Sequence, residues 1–365
     1  MKNFMHIGII LVGTDITQNE TFKQYILRHL GQSISQVDTI IAIDDYYKTD
    51  ILAILSEQKL SHLFVVASEP SFNFLSKIIS SELNIDIVLK NDTLMPSTCS
   101  ECVEGSYVVS LFDKKINVLK ADPKEVLPKI LLPHPVKHRF FNVFGYEKEH
   151  LEMLLQTIAP SYGIIYSTQE IVDKWHKIYI SSSFDDMKNF IKACKKLLNS
   201  QVISSSDVIP HIIERFDKKN LFLGISESCT GGLISATFTQ YAGLSDMFEL
   251  GLVTYSNEMK HTLLGVSKNS LFQQGAVSEE VVSEMLTGTL KASDCDYAIA
   301  VSGVAGPGGG SEDKPVGCVY IGVASKDSQH IERYDFRGDR IYIQHQTMLY
   351  AIEMFVLIAK NDLFY

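Results

Sequence analysis

Along most of the chain, short continuous apolar runs alternate with stretches in which apolar residues recur every three to four positions. "HIGIILV", "VDTIIAI" and "SHLFVVAS" have the length and β-branched content of buried strands. "NETFKQYILRHLG" and "YKTDILAILSEQ" between them carry the helical period. Strands that alternate with helices predict a parallel α/β sheet with helices on its faces. "SYVVSLFDKKINVLKA" then predicts a hairpin. Pro123, Pro128, Pro133 and Pro135 follow it and predict a domain boundary near residue 135. Over 138–199 the order changes to strand, helix, strand, strand, helix ("RFFNVFG", "EKEHLEMLLQTIA", "GIIYST", "KWHKIYISS", "FDDMKNFIKACKKLLNS"), the plan of a small α+β module. "NSQVISSSD" reads either as a linker, by its serines, or as the start of the next helix. Alternation returns from about 200 to 362 and ends in a long apolar helix, "YIQHQTMLYAIEMFVLIA". The expected fold class is therefore α/β: a three-layer parallel-sheet domain over 1–135, an α+β connector over 136–199, and a second α/β domain over 200–365. No internal repeat is evident.

Composition narrows the function classes. With 365 residues, 45% hydrophobic and 21% charged, each domain can bury a core. The net charge of −10, with no run of like basic charges, argues against nucleic-acid or membrane-surface partners. The short first apolar run faintly mimics a signal peptide but breaks at Gly13-Thr14-Asp15 and reads better as a core strand, and no run is long enough to span a membrane, so a cytoplasmic location is expected. Six cysteines scattered at 99, 102, 194, 229, 295 and 318 read as reduced thiols. The single Cys99-Ser-Glu-Cys102 pair lacks the second pair of a zinc site.

Candidate chemistry gathers in the last third. "ISESCTGGLISA" (225–236) places Ser226, Ser228, Cys229, Thr230, Gly231 and Gly232 between a strand and an apolar helix. Such a turn can bind an anion, cap the helix, or present a nucleophile beside oxyanion donors. Ser228 is the candidate nucleophile and Cys229 its competitor. A serine needs a base, and "VTYSNEMKHTLLG" supplies two candidates, Lys260 and His261. With Asn257 as N-cap and Gly265 as the C-terminal stop, Lys260 falls in the first helical turn. There the dipole disfavours its ammonium form. "SGVAGPGGGSEDKPVG" (302–317) follows an apolar strand and reads as a flexible hairpin or as an ordered ligand loop. In "FRGDRIY", Asp339 is a candidate helix cap beside Arg337 and Arg340, a plausible phosphate clamp.

Taken in order, "SESCTGGLIS", "GLVTYSNEMK", "LLGV", "GAVSEEVV", "SGVAGPGGGSEDKPVG" and "RGDR" closely resemble the C-terminal domain of the CinA family, over roughly residues 200–360. The resemblance implies a nicotinamide-nucleotide amidase that converts nicotinamide mononucleotide to nicotinate mononucleotide and ammonia, within the pyridine-nucleotide salvage cycle. It implies Ser228 as nucleophile and Lys260 as base. Thr230 with the Gly231 and Gly232 amides would support the oxyanion, and Tyr255 would orient Lys260 or the leaving ammonia. Asn257, Gly303, Ala305, Gly306 and Arg340 would hold substrate, Arg340 on the phosphate. No cofactor is expected for the amidase, and a homodimer is the expected assembly.

The first 200 residues resemble, more loosely, the family's MoaB-like domain and KH-like connector. Where the family has a "GGLGPT" phosphate loop this chain reads "VASEPSFN", and "LKADPKEVLP" replaces "LPGVP". Ser-Glu-Pro-Ser-Phe cannot bring backbone amides to a phosphate as glycines do, and Glu69 repels an anion. A degenerate domain with a structural or regulatory role is expected. A divalent metal would enter only if this domain kept ADP-ribose pyrophosphatase activity. The connector has no GXXG loop, so RNA binding is not expected. The alternative reading of the whole is a nucleotide- or pterin-binding regulatory protein without turnover.

Overall fold

The computed structural model describes residues 6–31, 33–34, 37–57, 60–133, 137–182, 186–245 and 247–365. The chain divides into two compact units, Met1–Lys137 and His138–Tyr365. The boundary expected near residue 135 lies outside the described residues.

In the first unit, strands β1 (Ile7–Val12), β2 (Thr39–Ile43) and β3 (His62–Ala67) are separated by helices α1 (Thr14–Thr17), α2 (Glu20–Gly31) and α3 (Ile51–Glu57). Helix α4 (Glu69–Glu82) leads to four short strands: β4 (Ile87–Lys90), β5 (Thr93–Pro96), β6 (Glu101–Val103) and β7 (Ser106–Leu111). β8 (Lys114–Lys120) completes the unit. The main sheet runs β2-β1-β3-β8-β7-β6, parallel from β2 to β8 and antiparallel beyond. The expected hairpin is β7–β8, turned by Phe112 and Asp113 at positive φ. Alternating residues face opposite sides of a strand, so each side has its own core. Ile7, Ile9 and Leu11 pack with Phe22, Ile26 and Leu30 of α2, whereas Ile10 and Val12 pack with Leu55 of α3 and Phe72, Leu75 and Ile79 of α4. "SEPSFN" is no loop: Pro70 lies in the first turn of α4, where its missing N–H costs nothing.

The second unit opens with β9 (His138–Phe144), α5 (Lys148–Ile158), β10 (Ile164–Val172), β11 (Trp175–Ser182) and α6 (Met187–Leu197), in the β-α-β-β-α order read from the sequence. "NSQVISSSD" is neither linker nor helix start. Its Val202–Ile203 form β12, pairing antiparallel with β9 in a sheet ordered β10-β11-β9-β12.

The remainder comprises α7 (Ile209–Lys219), β13 (Leu223–Glu227), α8 (Leu233–Thr239), β14 (Phe248–Val253), α9 (Asn257–Leu264), α10 (Lys268–Gln273), α11 (Glu279–Ser293), β15 (Tyr297–Gly303), β16 (Cys318–Ser325), β17 (Gln329–Asp335), α12 (Arg340–Ile358) and α13 (Lys360–Leu363). The sheet order is β14-β13-β15-β16-β17, with the first three parallel and the last two antiparallel. Ile225, Ile299 and Val319 pack against Phe216, Phe238 and Phe355 of α7, α8 and α12. On the other face Ala298 and Ala300 pack against α11 and Leu264 of α9. The small alanines let those helices approach closely. No helix among the described residues is long and apolar enough to cross a membrane.

Candidate functional site

Ser228 follows β13 directly, at the carboxyl end of the parallel strands, where an open α/β sheet leaves its crevice. Its amide donates to the Val301 carbonyl of β15 (3.1 Å), which ties the turn to the next strand. The chain then reverses through Gly231 (φ 65°) and Gly232 (φ 102°), a left-handed pair that L side chains adopt only with strain. Gly232 is the N-cap of α8. The preceding carboxylate, Glu227, is fully buried. It accepts from the amides of Gly232 (3.0 Å), Ile234 (3.1 Å) and Ser235 (2.8 Å) and from the Ser235 hydroxyl (2.7 Å). One buried anion thus satisfies the free N–H groups of α8 and holds the turn rigid.

Lys260 arrives from the other side. Ser256, not Asn257, caps α9 by accepting from the Met259 amide (3.1 Å), and Gly265 ends the helix at φ 70°. That frame places Lys260 and Leu264, one turn apart, on the buried face. The Lys260 ammonium nitrogen, only 1% exposed with its residue, donates to Ser228 Oγ (2.9 Å) and to the Thr254 carbonyl (2.8 Å). It has no carboxylate partner among the described residues. Burial therefore pushes it down to about 8 from an ordinary 10.5. The cause is burial, where the sequence suggested the helix dipole. A lysine with this environment is partly neutral near physiological pH and already aimed at a serine hydroxyl.

Cys229, the competing nucleophile, is buried and its thiol is pushed up to about 12. Almost no thiolate exists at neutral pH. The competing base, His261, binds the Val266 carbonyl through Nδ1 (2.8 Å) and faces a separate cavity, which Asn257 also lines.

Ser228 and Lys260 open into a cavity of about 290 Å³ whose far wall is the glycine-rich loop, with Gly303, Ala305, Gly306, Gly308 and Gly309 in its lining. Arg340 stands at the mouth on the first turn of α12, which Asp339 caps by accepting from the Tyr342 amide (2.8 Å). Its guanidinium donates to the Gly306 carbonyl (2.6 Å) and the Tyr255 hydroxyl (3.0 Å), joining the loop to the strand end after β14.

Seven of the eleven residues to which the resemblance assigns a role line this cavity: Ser228, Lys260, Tyr255, Gly303, Ala305, Gly306 and Arg340. The other four do not. Gly231 and Gly232 have their amides engaged by the Ser228 carbonyl (3.2 Å) and Glu227, so neither is a free donor for an oxyanion. Thr230 is buried, with its hydroxyl unpartnered among the described residues, and Asn257 lies at the other cavity. Tyr255 is 63% exposed and paired with Arg340 in place of Lys260. The amides of Cys229 and Thr230 have no acceptor among the described residues. They are the donors the turn leaves free. Glu227 and Ser302 were missed. An acidic residue just before the turn was the available signal for Glu227. Ser302, whose hydroxyl donates to the Ala276 carbonyl (2.7 Å), carried no signal.

Residues 206–358 match the CinA C-terminal domain. A nicotinamide-nucleotide amidohydrolase PncC of Escherichia coli K12 is 50% identical over 35% of this chain and 78% of its own length. A competence-damage inducible protein of Thermoanaerobacter pseudethanolicus is 31% identical over 68% of this chain and 64% of its own length. A CinA-like protein of Thermotoga neapolitana is 27% identical over 94% of each chain. The chain spans a little under two thirds of the length of the Thermoanaerobacter relative.

Proposed function

The chain belongs to the CinA family, and on that premise we propose that its second unit is an amidase that hydrolyses the carboxamide of nicotinamide mononucleotide to nicotinate mononucleotide and ammonia. The observation that carries this reading is the 2.9 Å contact between the buried Lys260 amine and Ser228 Oγ. Neutral Lys260 takes the hydroxyl proton as Ser228 attacks the amide carbon, then passes it to the leaving nitrogen, releasing ammonia. Water, deprotonated by the same amine, attacks the resulting ester and restores Ser228. The free amides of Cys229 and Thr230 serve the oxyanion, the first being the residue after the nucleophile. Arg340, with guanidinium donors beyond those it already uses, holds the phosphate at the mouth. These residues account for both half-reactions without a cofactor. The names of the amidohydrolase relatives support the substrate class. A cytoplasmic homodimer in pyridine-nucleotide salvage fits this activity.

Ammonia release from nicotinamide mononucleotide by the full chain tests the reading. Ser228→Ala is expected to abolish most turnover, while Cys229→Ala retains it. A folded Ser228→Ala with normal kcat, or loss confined to Cys229→Ala, overturns the assignment. A pocket that binds the nucleotide saturably without turnover would instead favour the regulatory-binder reading.

For the first unit we propose a degenerate MoaB-like domain without pyrophosphatase activity. At the carboxyl ends of its strands Asp45 accepts from the Thr14 amide (3.0 Å) and the Ser71 hydroxyl, and Asp44 accepts from the Thr14 hydroxyl (3.1 Å). Carboxylates thus use donors that a phosphate would need. Steady AMP release from ADP-ribose with a divalent metal would refute this.

A further inference from the structure

A second cavity, of about 340 Å³, lies within the second unit and shares no residue with the Ser228 site. It forms where the β10–β11 turn, carrying Asp173 and Lys174, meets β17 and α12. Met354, Leu357 and Ile358 make its apolar wall. Glu353 of α12 also lines it. This side chain is 5% exposed, and its Oε1 has no hydrogen-bond partner among the described residues. A buried carboxylate oxygen without a donor is costly, so its persistence here calls for an occupant that brings one.

The surroundings define that occupant. Of the other two carboxylates, Glu332 accepts from the Tyr334 hydroxyl (2.9 Å) and faces His330 Nε2 (3.6 Å), and Asp173 lies close enough to interact with the Tyr350 hydroxyl. Tyr334 and Tyr350 bring their rings together, centroids 4.6 Å apart, and both rings line the cavity. Lys174 and Lys360 are the basic side chains in the lining besides His330. Three carboxylates disfavour an anion. No group of three metal-ligating side chains occurs among the described residues. Aromatic faces beside carboxylates suit an organic cation, and the apolar wall suits its body.

We propose that this cavity binds a small organic cation, a primary ammonium or guanidinium on an aliphatic or aromatic body, whose N–H is accepted by Glu353. The ligand would tie the β10–β11 hairpin to α12, two elements of one unit. Burial also pushes Glu353 up to about 7, helped by Glu332 and Asp173 and opposed by Lys174. A cation that pairs with the ionised form is then bound more weakly as pH falls below that value.

Titration calorimetry on the full chain tests this with 2-phenylethylammonium and n-butylguanidinium as probes, and with 2-phenylethanol and tetramethylammonium as controls. Saturable binding of the two probes is expected, weaker by about tenfold or more for both controls, which lack the charge or the donor. Glu353→Gln should lose the probes by a similar factor and abolish the pH dependence, while ammonia release at the Ser228 site is unchanged. Tyr350→Phe, which removes one hydroxyl at the cavity wall, gives a second and milder reduction. Absence of saturable probe binding overturns the proposal, as does equal binding by wild type and Glu353→Gln. Binding seen only in Lys174→Ala overturns it too, because the chain's own lysine would then be the occupant.

Discussion

Replacing Lys260 by methionine, of similar length but without a titratable nitrogen, should destroy activity while raising stability. Lys260 is buried and pushed down to about 8 from 10.5. At neutral pH a group titrating near 8 is neutral in roughly one molecule in ten, against roughly one in three thousand at 10.5, so burial raises the supply of base by about 300-fold. Losing that base should cost about 10²–10⁴ in kcat. The stability effect has the opposite sign. A lysine whose folded value is depressed penalises folding wherever the unfolded chain is protonated, and the penalty fades only as pH rises from 8 to 10.5. Two and a half pH units at about 1.4 kcal/mol each set an upper figure of roughly 3.5 kcal/mol, offset in part by the bonds to Ser228 and Thr254. Denaturant unfolding of the variant should therefore show a gain below pH 8 that shrinks above it. In the wild type, kcat/KM for nicotinamide mononucleotide should rise about tenfold per pH unit up to about 8 and then level. A profile flat through this range, or rising on toward 10.5, would refute the argument. So would a Lys260→Met protein that keeps its turnover.

Arg340→Ala should raise KM by about one to two orders of magnitude with a smaller fall in kcat, because a phosphate contact remote from the amide contributes binding to ground and transition states alike. Steady-state kinetics separate the two. Gly288→Ala should destabilise the fold by about 1–3 kcal/mol and lower kcat. A Cβ on Gly288 of α11 would lie 2.0 Å from the Leu264 carbonyl oxygen and push α9, with Lys260, off the sheet. Unfolding midpoints and activity read this together, and an unperturbed variant would show that α9 adapts. Glu353→Gln should be stabilising at high pH only. The folded carboxyl titrates near 7 against 4.5 unfolded, so the native state loses stability as pH rises through that interval, by an upper figure of roughly 3.5 kcal/mol. Unfolding at about pH 4.5 should find little difference between the proteins, and at about pH 8 the full one.

Period and composition determined much of this molecule. The alternation of apolar strands with helix-period segments was enough to locate β1, β2, β3 and the β7–β8 hairpin and to mark the last third as α/β, since burial of one face imposes that pattern on any sequence that folds this way. Hydroxyls and glycines crowded after β13 marked the turn, and Lys260 could be placed near the start of its helix. Short-range signals end there. Val202–Ile203 is a strand because β9 offers an open edge, which no local pattern announces. That the Gly232 amide is already engaged was not legible either, because the sequence cannot tell that the Glu227 carboxylate folds back over the turn. Asn257 and His261 face another cavity because Ser256, one residue earlier, starts the helix and so sets its rotation. Lys260 as a candidate base was legible, but what shifts its titration was not. Lys260 is shifted by desolvation, a property of everything packed around it, and that includes the glycine in α11 that lets α9 sit close enough to bury the amine.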